Sequence, residues 1–165
     1  MLIRLLEPFR AQITVVRRSA EPVPGAARTV TTEHLHEALP GAQAVVLTLA
    51  LTPQTRGLIG QKELELMNQQ AWLVNIARGG LVDTEALVRA LSSHQIAGAA
   101  LDVTDPEPLP EGHPLWDLPN CLITPHTADT EQMIQPLLAA RITGNVQRLI
   151  NGQELEGRVD PDLGY

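Results

Sequence analysis

The sequence predicts an α/β fold: a doubly wound parallel sheet, incomplete, with its first strand and a glycine-rich turn missing. Three observations predict it. Short β-branched runs alternate with helical stretches along the chain, the pattern of βαβ units. The runs VVLTL, WLVNI and AGAALDV are apolar on both faces, as strands buried between two helical layers are. The 165 residues suit a single core, yet they open on MLIRLLEPFRAQITVV, a helix-like segment running into a strand, and contain no GxGxxG. A doubly wound nucleotide domain opens instead with a strand, a glycine turn and then a helix.

The expected strands are Ile13–Arg17, Ala44–Leu49, Ala71–Ile76, Ile96–Val103 and Cys121–Thr124. The expected helices are Thr32–Leu39, Gly60–Met67, Thr84–Ser92 and Thr130–Ile150. Asp83 or Thr84 is placed to cap the helix EALVRAL. Asp129, three residues before Gln132, gives an approximate capping box for the last helix. Pro136 lies inside that helix and should kink it or move its start downstream. Ser19–Arg28 and Asp105–Pro119 are Pro-rich and read as irregular. The second is long enough that a functional loop is expected. The missing strand should leave a gap between Ile13–Arg17 and Ala71–Ile76, with two open edges.

Composition narrows the classes. Twelve basic and nineteen acidic residues give a net charge of −7, which argues against binding nucleic acid across a broad basic face. An apolar fraction of 44% excludes general disorder. Aromatics are few (Trp72, Trp116, Phe9 and Tyr165), so the core must be aliphatic. The one cysteine, Cys121, excludes a disulfide framework and a Cys-rich zinc site, and no metal is expected. No apolar run is long enough for a membrane span, and the first residues, with Arg4 among them, do not read as a signal peptide. A cytoplasmic protein is the expectation.

Three polar residues close three successive expected strands. Arg78 follows WLVNI in NIARGGLVD, where two glycines let the backbone turn sharply away. A guanidinium there can hold a carboxylate by a two-pronged bond. Asp102 closes the next strand. His126 follows CLIT in the segment TPHT. Parallel strands put all three on one rim, where open α/β sheets bind ligands. Glu107, in DPEP on the intervening loop, can reach His126. A carboxylate partner fixes an imidazole tautomer and favours its charged form, which makes an acid–base pair.

NIARGGLVD, ALDVTDPEPLP, HPLWDLPNCLITPH, LTPQTRGLIG and the closing VDPDLGY together resemble the D-2-hydroxyacid dehydrogenases, also called D-isomer-specific 2-hydroxyacid dehydrogenases. The resemblance runs from about Met1 to Tyr165 and is strongest from Val45 to Thr127. It implies a Rossmann-like domain and hydride transfer between NAD(P)H and a small 2-keto or 2-hydroxy acid, such as glyoxylate or hydroxypyruvate. By resemblance, Arg78 would hold the substrate carboxylate and carbonyl, His126 would be the proton donor, and Glu107 would orient His126. Asp102 would lie near the nicotinamide carboxamide, and Leu49, Ala50, Ile76 and Ala77, with Arg78 and His126, would line the cofactor.

The departures from the family pattern carry information. Ala50 stands where a Pro is usual, and Asp129 where a small residue is usual. Arg17 and Arg18 stand at the turn where an Asp often binds ribose hydroxyls. Arginine there attracts a 2′-phosphate, so NADP is favoured over NAD. The first strand, the phosphate turn and the family's separate substrate domain have no counterpart. The chain therefore reads as a partial dinucleotide-binding domain over 1–151, with a tail over 152–165 that would return to the absent domain. The isolated chain is expected to be inactive or weakly active. A homodimer through the nucleotide domain is a further expectation. The alternative is a catalytically inactive truncated homologue that acts as a protein-interaction module.

Overall fold

The computed structural model describes residues 2–160. The helix-like start is a short helix α1 (Leu2–Leu6) followed by a 3₁₀ turn, and it leads into strand β1 (Thr14–Arg17). A second strand, β2 (Arg28–Thr31), pairs parallel to β1 in the register Thr14↔Arg28 to Arg17↔Thr31. That strand falls where the sequence reads as a Pro-rich loop joined to a helix. Its four residues, RTVT, are too few to carry a visible period. The expected helix from Thr32 is in fact a 3₁₀ turn and a single helical turn, α2 (Leu35–Ala38).

The main sheet has four parallel strands in the order β3 (Ala44–Leu47), β4 (Trp72–Asn75), β5 (Gly98–Leu101) and β6 (Cys121–Ile123). Helices α3 (Gln61–Leu66) and α4 (Thr84–Ser92) connect them. Every expected strand is present but shorter, because Val103 and Ile76 leave the ladder while continuing the apolar run. The edge strands of the main sheet are β3 and β6, and the open edge on the side of the expected gap belongs to β3. It does not belong to Ala71–Ile76 as expected, since β4 is hydrogen-bonded on both sides, to β3 and to β5. The overlooked β2 accounts for the misplacement. Among the described residues β1 and β2 form their own two-stranded sheet, and the two sheets do not pair.

One core serves the main sheet. Alternate strand residues Leu47, Leu73, Ala99 and Leu101 pack against Leu64 of α3 and Leu87 and Leu91 of α4. Among the described residues the opposite face is only partly covered: Trp72 is 43% and Leu122 is 60% exposed. The last helix, α5 (Glu131–Ile150), has no buried residue. It contains Pro136 without a downstream shift of its start. Its N-cap is Thr130, with no side-chain cap bond, so the Asp129–Gln132 capping box does not form. Asp83 does cap α4, accepting the Ala86 N–H at 2.9 Å. Among the described residues no helix is long and apolar enough to cross a membrane.

The small sheet is tied to the large one through α2. Leu39 joins the main core. Glu63, at the start of α3, accepts the Gly60 N–H at 3.0 Å with one oxygen and His36 Nε2–H at 2.6 Å with the other. Burial pushes the Glu63 carboxyl up, but the bonds from His36 and the Gly60 and Glu63 backbone, with the charge of His36, hold it below its ordinary value. A carboxylate with a depressed folded pKa adds stability above its unfolded pKa and loses it as pH falls. Glu63→Gln is therefore expected to cost about 1 kcal/mol near neutrality. Thermal unfolding should show the difference closing as pH drops below about 4.

Candidate active site

Because β3 to β6 run parallel, their carboxyl ends share one rim. An open cleft of about 650 Å³ lies there, lined by Thr48, Leu49, Ala50, Leu51, Ile76, Ala77 and Arg78. It brings together four of the residues expected to line a cofactor and the arginine expected to hold a carboxylate. Arg17 and Arg18 are exposed at the end of β1 in the other sheet and do not line this cleft.

The backbone before Arg78 is held from below by Asn75. Its side chain is 1% exposed; Oδ1 accepts the Ala77 N–H at 3.1 Å and Nδ2–H donates to the Arg78 carbonyl at 2.9 Å. The sequence offered one signal for it, a lone amide closing an apolar strand. Arg78 Nη1–H donates to the Ala77 carbonyl at 2.6 Å, which leaves its other N–H groups for a ligand. Gly79 then meets the loop after β5 so closely that a Cβ on it would lie 1.9 Å from the Thr104 carbonyl oxygen.

That loop carries Glu107. Its backbone is tethered by the Thr84 hydroxyl, which donates to the Asp105 carbonyl at 2.7 Å, and by the Thr104 hydroxyl, which donates to the Pro106 carbonyl at 2.8 Å. Arg56 Nη1 pairs with the Asp105 carboxylate at 3.4 Å. These three tethers were invisible in the sequence, where single polar groups paired through the fold leave no pattern.

Glu107 and His126 meet. The ring Nδ1 lies 2.6 Å from Glu107 Oε1, and both side chains are 40% exposed. A carboxylate only accepts, so Nδ1 carries the donated proton and Nε2 is the nitrogen left for proton exchange with a ligand. His126 sits at φ +53°, a left-handed conformation that costs a non-glycine residue about 1–2 kcal/mol.

Asp102 is 6% exposed. Burial pushes its carboxyl up, yet bonds from Thr124 Oγ1–H at 2.5 Å and from the backbone N–H groups of Thr127 and Ala128 at 2.9 and 2.7 Å hold it below its ordinary value, with help from the His126 charge. It is ionised at neutral pH, and its oxygens are engaged by its own chain. Cys121 is excluded as a nucleophile, because burial pushes its thiol to about 11.

The sequence profile of the D-isomer specific 2-hydroxyacid dehydrogenase, NAD binding domain, matches residues 1–128. Glyoxylate/hydroxypyruvate reductase A of Yersinia enterocolitica is 34% identical over 97% of this chain and 50% of its own length. A D-isomer specific 2-hydroxyacid dehydrogenase from Xanthobacter autotrophicus Py2, solved with NADPH and MES, superposes with a TM-score of 0.85 at 39% identity, covering 93% of this chain and 63% of that one. An NADPH-dependent glyoxylate/hydroxypyruvate reductase from Sinorhizobium meliloti, solved with NADP and sulfate, gives a TM-score of 0.89 at 28% identity over 99% of this chain and 52% of that one. The chain spans about half the length of the curated relatives it matches. With the family profile spanning more than three quarters of the sequence and carrying the Arg78, Glu107 and His126 segments, the chain belongs to the D-isomer specific 2-hydroxyacid dehydrogenases, through their NAD-binding domain.

Proposed function

We propose that this chain supplies the cofactor cleft and the acid–base pair of an NAD(P)-linked reductase acting on small 2-keto acids, with glyoxylate and hydroxypyruvate as the nearest candidates. The observation that carries the reading is the 2.6 Å Glu107–His126 pair on the same strand-end rim as Arg78 and its cleft. The names of the relatives point the same way.

The cleft fits a dinucleotide's nicotinamide end. Its lining pairs two small residues, Ala50 and Ala77, with the apolar side chains of Leu49 and Ile76. When bound, the cofactor supplies the hydride. Arg78 pairs with the substrate carboxylate and polarises the keto oxygen. Glu107 keeps the His126 Nδ1–H donated, so that Nε2 faces the reaction as the proton donor. The proton passes from Nε2 to the keto oxygen as the carbonyl is reduced. The same reading places the protein in the cytoplasm, where Cys121 stays reduced, and takes 1–151 as the nucleotide domain. Of the 152–165 tail, residues 161–165 lie outside the described residues.

The test is a chimera that joins this chain to the remaining half of the Yersinia reductase. It should reduce glyoxylate with NADPH at a rate within about tenfold of the parent. Cofactor binding without reduction of any 2-keto acid would instead favour the inactive-homologue reading.

Arg17 and Arg18 are proposed to receive a 2′-phosphate. Replacing both by Ala should weaken NADPH in calorimetry by about tenfold or more for each charge-assisted hydrogen bond removed and leave NADH nearly unchanged. Equal effects on both cofactors would place the arginines elsewhere in function. A homodimer through this domain belongs to the same proposal. The accessible surface is 11367 Å², against about 8,000 Å² for a compact monomer of this mass, so further protein is expected to cover part of it. Sedimentation of the chain and of the chimera would show whether a second copy does so.

A further inference from the structure

We propose that Thr124 and Asp102 are positioning residues for the proton donor: together they clamp the turn on both sides of His126 and hold its ring against Glu107. The inference rests on the reading of His126 as that donor and assigns a role to a hydroxyl that the family motifs leave unassigned.

The chain enters the turn in register. The Thr124 N–H donates to the Leu101 carbonyl at 2.9 Å, continuing the β5–β6 ladder one residue past the strand. It must then turn away from the sheet through Pro125 and His126. The His126 N–H donates back to the Thr124 carbonyl at 3.0 Å, and its φ is +53°. A left-handed histidine in so tight a turn does not hold itself, since nearby extended or helical conformations are favoured.

The Asp102 carboxylate supplies what the turn lacks. Oδ1 accepts from the Thr124 hydroxyl before His126 and from the Thr127 N–H after it, and Oδ2 accepts from the Ala128 N–H. Asp102 is itself fixed: it is buried at the end of β5, and its own N–H donates to the Asn75 carbonyl at 2.9 Å. Both flanks of the turn are thereby referred to a rigid strand end. The Thr124 hydroxyl is the leg that can be removed alone. The other two legs are backbone N–H groups, and Thr124 is exposed, so Thr124→Val leaves the core untouched.

The chain as it stands suffices for the experiment. Nuclear magnetic resonance reads two quantities: hydrogen exchange at the Thr127 and Ala128 amides, and the His126 Nδ1–H resonance, visible while the 2.6 Å bond to Glu107 slows that proton's exchange with water. In Thr124→Val the two amides should exchange about 5–10-fold faster, the value of one hydrogen bond, and the Nδ1–H resonance should broaden away. Thr124→Ser should restore both. Wild-type exchange and an unchanged resonance in Thr124→Val would overturn the clamp. Faster exchange with an unchanged resonance would overturn its role in positioning His126. Failure of the underlying reading looks different. Glu107→Gln should disturb the resonance and leave the amides protected; if it leaves the resonance untouched while Thr124→Val still speeds the amides, the clamp stands and the acid–base pair falls.

Discussion

His126→Ala, made in a chimera that reduces glyoxylate, is expected to lower the turnover number by about 10²–10⁴-fold, the range that positioned acid–base groups contribute. The size follows from the geometry. The ring is locked at Nδ1 by Glu107 at 2.6 Å, so a single nitrogen, Nε2, is presented to a substrate. Removing the ring leaves water as the proton source, without orientation. NADPH binding should change little, because Arg78, Leu49, Ala50, Ile76 and Ala77 line the cleft without help from His126. Glu107→Gln should cost less, since the ring remains but its tautomer is no longer set by a charge. Arg78→Ala should show another signature, with KM for the keto acid rising as well as kcat falling, because the substrate carboxylate loses its counter-charge in the ground state too. Steady-state rates for the three variants separate the roles. A His126→Ala enzyme within about tenfold of the parent would remove His126 from the chemistry.

The parallel sheet was legible because its strands are short apolar runs set between helix-like stretches, even though the helices that form there are short, six residues in α3 and nine in α4. Ala44–Leu47, Trp72–Asn75 and Gly98–Leu101 lie inside the expected runs, and the overshoot has a physical cause. Burial continues past the last ladder bond at Val103, and hydrophobicity reports burial rather than pairing. Strand β2 was not legible. Arg28–Thr31 is held by β1, a partner that only the tertiary fold brings alongside. Missing it moved the expected gap from β3 to β4.

At the site, the residues with charge at strand ends were legible and the residues that hold them were not. Arg78, Asp102 and His126 stand out because a charged or titratable group closing an apolar strand is unusual, and parallel strands gather such ends. Asn75, Thr84, Thr104 and Thr124 act through hydrogen bonds to carbonyls, amides or a carboxylate that the fold supplies. Thr84 was readable only as a cap candidate for its helix, and Thr104 and Thr124 have no period and no spacing to betray their partners. Asp102 illustrates the difference within one residue. Its position was readable, whereas the three bonds that occupy its oxygens come from residues 22 to 26 positions away.

Gly79→Ala is the second variant with a large expected effect, and it tests the joint between the two halves of the site. Gly79 follows Arg78 directly and is buried against the loop that leads to Glu107. A Cβ there would lie 1.9 Å from the Thr104 carbonyl oxygen, 2.0 Å from its carbon and 2.6 Å from the Asp105 nitrogen. All three are backbone atoms, so no rotamer can relieve the contact. Either residues 78–81 withdraw or the loop from Thr104 moves off. The first route breaks the bonds that the Gly80 and Leu81 carbonyls accept from Gly57 and Ile59. The second lifts Glu107 away from His126. We expect a destabilisation of about 3 kcal/mol or more, the upper end of overpacking costs, and a fall in melting temperature on the order of 6–12 °C. Gly80→Ala is the matched control. Its three nearest contacts would be the ends of side chains, Arg56 Nη1 at 2.9 Å, Leu51 Cδ2 at 3.1 Å and Asp105 Oδ2 at 3.2 Å, which can shift at the cost of at most the exposed Arg56–Asp105 pair. It should cost about 1 kcal/mol and keep the His126 Nδ1–H resonance. Equal melting temperatures for the two variants would mean that the loop carrying Glu107 is not braced on Gly79, and the acid–base pair would have to be held from the Asp102 side alone.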